Sequence, residues 1–474
     1  MKSNSIKLKT TSLVLIAIVT LFTTPLISQT NSYSVELLET KLDSVIQSSM
    51  ESRHVPGLAF IIVKDGKTLL KKGYGYTSLG DNIKQVDPDS TIFRIGSITK
   101  TFTALALLQL ADDKKIDLDK DVNIYLKSVK VPNTFKKPVT TTHLLNHSAG
   151  FDELRGRVVY DKEEQIPLNQ FLKDKLVRLR EPGIVSSYST FGIALAGLLV
   201  EDISGMSLEA YMQENIWNPL NMDMTCITLN EKNEDYASIG YEYRDGINLP
   251  MPWEFYHTYP ASEINSTVTD MGKYIQMYLN LGKYKGKQVL SKKNALAMQR
   301  PQLAIHPEIE SFCYGFYEEY AEDLRTVSHG GDMLGFSGYM ALVPDKNMGI
   351  YVVNHHEGSR IRYTVLNAIL QFFNPNPKEK FKYTRLKNDL SKFAGTYMWS
   401  TYCHTCENAW KPNPEQIKVN NDYTITVFGE KFHQVESLLF KNESGRRTLG
   451  FLENNKGKIT HMAFGASNMF ERID

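Results

Sequence analysis

The sequence predicts an α/β (α+β) domain, in which an antiparallel sheet is flanked by helices and carries an all-helical insert, followed by a small all-β barrel. Strand patterns lie at both ends of the first domain, and the region between them, residues 138–280, is mostly helical. Residues 390–474 alternate apolar and polar side chains between turn residues. A chain of 474 residues is long enough for two such domains.

The N-terminus has the composition of an export signal. Lys2, Lys7 and Lys9 precede an apolar run over residues 13–22, and polar residues follow at 28–30. This order predicts a signal peptide over residues 1–28 and an exported protein, periplasmic or secreted. The apolar run is too short for a comfortable bilayer span, so no stable membrane insertion is expected.

The first strands form a predicted hairpin. Apolar residues run through 58–63, Gly66 marks the turn, and a second strand pattern covers 68–76. The next element, Thr101 to Ala111, is apolar on nearly every side, which indicates a helix in the centre of a core.

Ser97 and Lys100 stand at the beginning of that buried helix. A spacing of three residues puts the hydroxyl and the amine on one helical face. Burial and the helix dipole both disfavour the ammonium form, so Lys100 is expected to titrate below its usual range and to accept the proton of Ser97. A chance occurrence of S-x-x-K is the alternative, and its position before the buried helix favours a nucleophile with its base.

Five stretches carry a resemblance to a known family. They are FRIGSITKTFTALALLQLADDKKIDLDKDVNIYL, TTHLLNHSAGF, EPGIVSSYSTFGIALAGLLVEDISG, NSTVTDMGKY and SHGGDMLGFSGYMALVPDKNMGIYVVNH. The chain resembles the serine β-lactamase and penicillin-binding-protein superfamily, in the class C-like branch that includes family VIII carboxylesterases and D-aminopeptidases. The resemblance implies a serine β-lactamase-like fold over residues 33–374 and a serine hydrolase.

The second motif of that branch, Y-x-N, is represented by Tyr188-Ser189-Thr190. The resemblance implies that Tyr188 lies within reach of Ser97 and Lys100 and relays the proton, provided that Lys100 lowers the pKa of the phenol. A core aromatic residue is the alternative for Tyr188. Thr190 replaces an asparagine that holds substrate amides, which puts amide recognition in doubt, whereas esters need no such contact.

The third motif is His329-Gly330-Gly331, where penicillin-recognising members have Lys-Thr-Gly or Lys-Ser-Gly. The glycines are expected to let substrate approach the strand backbone closely. The resemblance makes the N–H groups of Asp332 and Ser97 the oxyanion hole. His329 is expected to keep partial positive character near the substrate, so neutral esters or peptides are favoured over β-lactams; a strand histidine without substrate contact is the alternative.

The rest of the chain is assigned by pattern. Strands at 339–343 and 349–354 and a helix at 363–373 complete the first domain, and the charged segment 375–389 is the predicted linker. Short alternating strands within 423–464 then predict a β domain over 390–474, which resembles the lipocalin-like domains attached to several family members.

The four cysteines bear on redox state and metals. Cys403 and Cys406 could close a small loop in an oxidising compartment, whereas Cys226 and Cys313 could pair only if the fold joins them. One C-x-x-C without a second ligand pair is weak evidence for zinc, so no metal and no other cofactor is expected.

Composition and motifs leave two classes of function. A net charge of +1 without basic blocks does not indicate nucleic-acid binding, and the expected partner is a small ester or peptide, cell-wall fragments included. The first class is a hydrolase that cleaves short esters or D-amino-acid peptides, or a true class C-like β-lactamase. The second is a penicillin-binding or wall-ligand receptor that acylates without turnover. The sequence leaves the oligomeric state open.

Overall fold

The computed structural model describes residues 34–80, 83–154, 156–376 and 382–474. The predicted signal peptide, residues 1–28, lies outside them, as does part of the predicted linker 375–389. Two bodies are seen: a sheet domain with elements from residue 35 to residue 373, and a closed barrel with strands from 395 to 472.

A six-stranded antiparallel sheet forms the centre of the sheet domain, and its strands lie side by side in the order Tyr317–Ala321, Leu324–Met333, Phe336–Val343, Met348–Asn354, Gly57–Lys64 and Lys67–Gly75. The strands of the domain, including short two-stranded pairs, are β1 Gly57–Lys64, β2 Lys67–Gly75, β3 Phe93–Arg94, β4 Val158–Val159, β5 Tyr241–Arg244, β6 Ile247–Pro250, β7 Phe255–Tyr256, β8 Asn265–Ser266, β9 Lys283–Tyr284, β10 Lys287–Gln288, β11 Tyr317–Ala321, β12 Leu324–Met333, β13 Phe336–Val343 and β14 Met348–Asn354. The predicted hairpin and the predicted strands at 339–343 and 349–354 are confirmed.

Helices cover both faces of this sheet. They are α1 Val35–Arg53, α2 Thr99–Asp112, α3 Thr141–Leu145, α4 Leu168–Leu172, α5 Thr190–Ser204, α6 Leu208–Met212, α7 Asn218–Leu220, α8 Val268–Leu279, α9 Lys292–Ala297 and α10 Ile361–Phe373. Strand β1 is continuously apolar because both of its faces are buried. Phe60 and Ile62 pack into the core with α1 and α10, and Ile61 packs into the larger core with α2, α5 and α8.

The predicted insert is mainly helical but not entirely so. Residues 138–280 contain α3 to α8, and they also carry the hairpin β5–β6, the short pair β4–β7 and strand β8. The hairpin forms because Asp245 and Gly246 both take positive φ angles, 54° and 87°, as a tight two-residue turn requires. Asp-Gly between two short strands was a readable signal in the sequence.

The C-terminal strands close into an eight-stranded antiparallel barrel, which confirms the predicted all-β unit. They are β15 Gly395–Trp399, β16 Glu415–Val419, β17 Thr424–Val427, β18 Glu430–Glu436, β19 Leu439–Asn442, β20 Thr448–Glu453, β21 Ile459–Ala463 and β22 Met469–Arg472. Aromatic rings fill its interior, among them Phe393, Phe440 and Phe451, whose centroids lie 4.8 to 5.3 Å apart.

In the described residues, no single helix is long and apolar enough to cross a membrane. Thr190–Ser204 and Leu208–Leu220 together reach the required length and composition, but they meet at a bend of 77°.

Candidate active site

Ser97 lies on a turn that the central sheet holds in place. A short 3₁₀ turn, Gly96–Ile98, leads directly into α2. Gly96 has a φ of 55°, and a Cβ there would lie 3.0 Å from the backbone nitrogen of Asp332 on β12. Only glycine suits this conformation and this close contact, so the turn and the strand are in direct backbone contact.

Lys100 is one turn further along and is buried, with 1% of its surface exposed. Its amine lies 3.0 Å from Ser97 Oγ and donates a hydrogen bond of 2.9 Å to the carbonyl oxygen of Ala261. Burial lowers the pKa of Lys100 to about 7; the charge of Glu153 opposes this shift and that of Arg157 adds to it. Near neutral pH a large fraction of the amine is therefore free to accept a proton.

Tyr188 completes the group. The Lys100 amine lies 4.9 Å from the centroid of the Tyr188 ring, and the Tyr188 hydroxyl is hydrogen-bonded to Ser97. Burial raises the pKa of Tyr188 above its usual value of 10, although the hydrogen bond with Ser97 opposes this. The condition that Lys100 lowers the pKa of Tyr188 is therefore not met, because burial dominates. Tyr188 is a neutral hydroxyl at neutral pH, and Lys100 is the group that titrates there.

The third motif lies on a partly free strand edge. Strand β11 pairs with β12 only as far as Ser328, so residues 329–333 of β12 are paired on the β13 side alone. A Cβ on Gly331 would lie 1.9 Å from the carbonyl oxygen of Ile95. The sequence predicts that substrate approaches the backbone closely at Gly331. The structure instead shows that the turn before Ser97 makes this close approach.

His329 differs electrostatically from the prediction. It is 2% exposed, and burial, together with the charge of Lys100, lowers its pKa to about 3. Its Nδ1 lies 2.6 Å from the carbonyl oxygen of Gly330, which fixes Nδ1 as the protonated nitrogen. The expected partial positive charge is thus wrong: His329 is a neutral ring, and its unprotonated Nε2 is buried without a hydrogen-bond partner among the described residues.

The carboxylate of Asp332 forms an ion pair with the buried side chain of Arg362. Arg362 donates to both of its carboxylate oxygens, at 2.7 and 2.8 Å, and Ser337 donates a third hydrogen bond of 2.9 Å. The pair is bidentate, the strongest geometry for arginine and carboxylate. Arg362 was not predicted from the sequence, although a charged residue within the otherwise uncharged helix α10 is a signal.

Thr190 and Glu153 are hydrogen-bonded to each other near Ser97, Lys100 and Tyr188, the three residues called the reactive group below. The backbone N–H of Thr190 donates to the Glu153 carboxylate, which also pairs with Arg157 at 2.8 Å. The side chain of Glu153 is 11% exposed, and burial raises its pKa. Glu153 follows one of the family-like stretches, but nothing in its local sequence distinguishes it from a surface acid.

The reactive group opens into a cavity of about 310 Å³ that both domains line. The lining residues are Ser97, Tyr188, Tyr317, His329, Gly330, Asp332, Arg362, Tyr363, Trp399, Thr401 and Ser467. Of the predicted site residues, Lys100, Thr190 and Gly331 are not among them. Trp399, Thr401 and Ser467 come from the barrel, and no motif in the sequence indicated that this unit reaches the site.

Known proteins resemble this chain in sequence and in fold. The profile of the family described as Beta-lactamase matches residues 42–368. Protein flp of Staphylococcus aureus (strain MRSA252) is 28% identical over 321 residues, which cover 66% of this chain and 62% of that protein. The matched region thus spans less than two thirds of that relative.

Two solved structures extend the comparison. The octameric penicillin-binding protein homologue from Pyrococcus abyssi has a TM-score of 0.63 at 25% identity and covers 91% of this chain and 100% of its own. The β-lactamase/D-alanine carboxypeptidase from Pseudomonas syringae has a TM-score of 0.60 at 18% identity, covering 71% of this chain and 99% of its own. The first match therefore extends over the barrel as well as the sheet domain.

Proposed function

Because this chain belongs to the β-lactamase family of serine hydrolases, we propose that it cleaves short esters or D-amino-acid peptides through an acyl-enzyme on Ser97. The observation that carries the proposal is the contact between Ser97 Oγ, at the wall of the cavity, and the buried amine of Lys100, with a distance of 3.0 Å and a lysine pKa of about 7. A nucleophile beside a base that is free near neutral pH is the arrangement that covalent catalysis needs.

The chemistry follows from these groups. The Lys100 amine takes the proton of Ser97 as its oxygen attacks the substrate carbonyl, and the N–H groups of Ser97 and Asp332 hold the oxyanion. Tyr188, a neutral hydroxyl bonded to Ser97, passes its proton to the leaving oxygen or nitrogen and is reprotonated by the Lys100 ammonium, which becomes the free amine again. Water then attacks the acyl-enzyme by the same route in reverse, releasing the acid and restoring Ser97.

The cavity favours a neutral substrate. His329 is uncharged, and the cation of Arg362 is already paired with Asp332. Tyr317, Tyr363 and Trp399 add aromatic surface that suits an apolar acyl or leaving group. A carboxylate-bearing β-lactam finds less compensation here, so true β-lactamase activity ranks second and a receptor without turnover ranks third. The Pseudomonas syringae protein of similar fold is described as a D-alanine carboxypeptidase as well as a β-lactamase, so peptide cleavage occurs on this fold.

Export is part of the same proposal. The pattern of residues 1–30 and the disulfide between Cys403 and Cys406 both suit an oxidising compartment outside the cytoplasm. Cell-wall fragments are available in such a compartment as natural peptide substrates.

The test compares two chromogenic substrates, p-nitrophenyl butyrate as the ester and D-alanine p-nitroanilide as the amide, with Ser97→Ala as the blank. We expect Ser97-dependent release from the ester. Release from the amide as well would assign a peptidase, and release from the ester alone an esterase. If Ser97→Ala kept the turnover of the intact protein, or if the intact protein showed none, the proposal would be wrong.

The pH profile tests the role of Lys100. Since only the free amine accepts a proton, kcat/KM for the ester should rise with a midpoint near the lysine pKa of about 7. The charge of Glu153 raises that pKa, so Glu153→Gln should lower it and move the midpoint to lower pH. The exposed Glu164→Gln serves as control. A midpoint that stayed in place or moved to higher pH in Glu153→Gln would contradict this electrostatic link.

A further inference from the structure

A loop of the barrel binds a buried carboxylate of the sheet domain. Asp152 is 0% exposed. It accepts hydrogen bonds from the backbone N–H of His404 at 2.9 Å and of Thr405 at 3.0 Å, and from the Thr405 hydroxyl at 2.7 Å. His404 and Thr405 lie between the two half-cystines Cys403 and Cys406. The disulfide thus closes the four-residue loop whose hydrogen bonds take the place of water around the Asp152 carboxylate.

The buried carboxylate of Asp152 depends on the hydrogen-bond donors of this loop. Removing a carboxylate from water is strongly unfavourable unless hydrogen bonds replace its solvation. The remaining hydrogen bond to the carboxylate is local, from the N–H of Glu153 at 2.9 Å. If the loop opened, Asp152 would have to move toward water, and its own backbone segment would move with it.

That segment supports the reactive residues. The carbonyl oxygen of His147 accepts the N–H of Ser187 at 2.8 Å, and His147 Nδ1 accepts the N–H of Ser189 at 3.0 Å. The His147 ring also stacks on Tyr188, with centroids 4.6 Å apart. At the other end of the segment, Glu153 follows Asp152 directly. A shift of Asp152 would therefore reach both Tyr188 and the carboxylate that acts on Lys100.

The same part of the barrel forms a wall of the cavity. Trp399 and Thr401 lie just before the disulfide loop and line the site. Ser400 donates a hydrogen bond of 3.0 Å to the hydroxyl of Ser187, the residue before Tyr188. Arg180 adds an ion pair of 2.8 Å with Glu471 of β22. The loop, the wall and the Tyr188 segment are therefore joined by direct contacts.

We propose that Asp152 is a positioning residue of the active site, and that the Cys403–Cys406 loop holds it, so that catalysis depends on the oxidised state of this disulfide. The proposal rests on the proposed hydrolase function for its kinetic consequences. Reduction by a dithiol breaks the S–S bond, leaves Cys403 and Cys406 as thiols and converts the reagent to its cyclic disulfide. The loop then loses the closure that directs its two N–H groups at Asp152.

The experiment compares three ways of opening the contact: Asp152→Asn, the pair Cys403→Ser/Cys406→Ser, and dithiothreitol treatment of the intact protein. An asparagine would replace one of the two carboxylate oxygens by an NH2 group, which would face either the N–H groups of His404 and Glu153 or the two donors of Thr405. We expect each change to lower kcat for the ester by about 10-fold or more, since an active-site displacement of about 1 Å can cost 10²-fold. The midpoint of the kcat/KM pH profile should also shift, as in Glu153→Gln. Asp174→Asn, at an exposed carboxylate, should change neither.

Coupling between the changes is the sharper readout. Because all three act through one contact, dithiothreitol should cause no further loss in Asp152→Asn. Cys226→Ser/Cys313→Ser, which removes the two free buried cysteines, should keep the full response to dithiothreitol. The proposal is overturned if verified reduction leaves kcat unchanged, or if the losses from reduction and from Asp152→Asn multiply.

Hydrogen exchange tests whether the Cys403–Cys406 loop holds the Asp152 segment, and this measurement does not depend on enzyme activity. Reduction of the intact protein should speed amide exchange in peptides that cover both 396–410 and 147–157. Faster exchange in 396–410 alone would overturn the proposal. Absence of Ser97-dependent turnover would instead remove the proposed function, and the exchange result would still stand.

Discussion

Replacing Lys100 by methionine is expected to lower kcat/KM for the ester by about 10³-fold near pH 8, the usual range for loss of a general base. The amine lies 3.0 Å from Ser97 Oγ and is free at that pH, because burial holds its pKa at about 7. Methionine has a similar length and no buried charge to solvate, so the thermal midpoint should stay close to that of the intact protein.

Two further variants separate the base from the charge. Lys100→Arg keeps a cation that cannot give up its proton, and it should be as inactive as Lys100→Met. Lys120→Met removes an exposed lysine and should have no effect. Substantial activity in Lys100→Arg would mean that a fixed positive charge, and not a base, is what Ser97 requires.

Gly331→Ala is expected to have the second largest effect, on both stability and rate. Its Cβ would lie 1.9 Å from the Ile95 carbonyl oxygen, so β12 would have to move away from the turn before Ser97. Overpacking of this kind costs about 1–3 kcal/mol in the free energy of unfolding. The same movement would separate the N–H groups of Ser97 and Asp332, and a donor lost from an oxyanion hole lowers kcat by about 10²–10³-fold.

A matched control lies directly opposite on the next strand. Gly338 pairs with Gly331 across β12 and β13, and the nearest atom to its Cβ would be a Val353 methyl at 3.5 Å. Gly338→Ala should therefore change urea unfolding and kcat little. If Gly331→Ala behaved like Gly338→Ala in both measurements, the backbone contact between β12 and the Ser97 turn would not be what holds the site together.

Local sequence was enough to predict the reactive pair. The spacing of Ser97 and Lys100 and the apolar helix after them are short-range features, and so are the hairpin and the alternating strands of the barrel. The resemblance then placed Tyr188 correctly beside Ser97. What these features share is that helix geometry or a continuous motif fixes them, without knowledge of distant packing.

The rest depended on contacts between distant parts of the chain. The pKa values of Tyr188 and His329 are set by burial, which a motif does not report, and this is why both electrostatic predictions failed. Glu153 contacts Thr190, and Arg362 pairs with Asp332, only because folding brings distant parts of the chain together. The contribution of Trp399 to the cavity required the barrel to dock on the sheet domain, and no pattern within the barrel strands indicated that contact.

The most direct test of the central claim is to locate the acyl group. The protein would be pulsed with p-nitrophenyl butyrate, quenched in acid and digested, and the peptides analysed by mass spectrometry. We expect one butyryl group, on Ser97, and its absence from Lys100→Met treated for the same time. A butyryl group on another residue, or equal labelling of Ser97 without Lys100, would contradict the account.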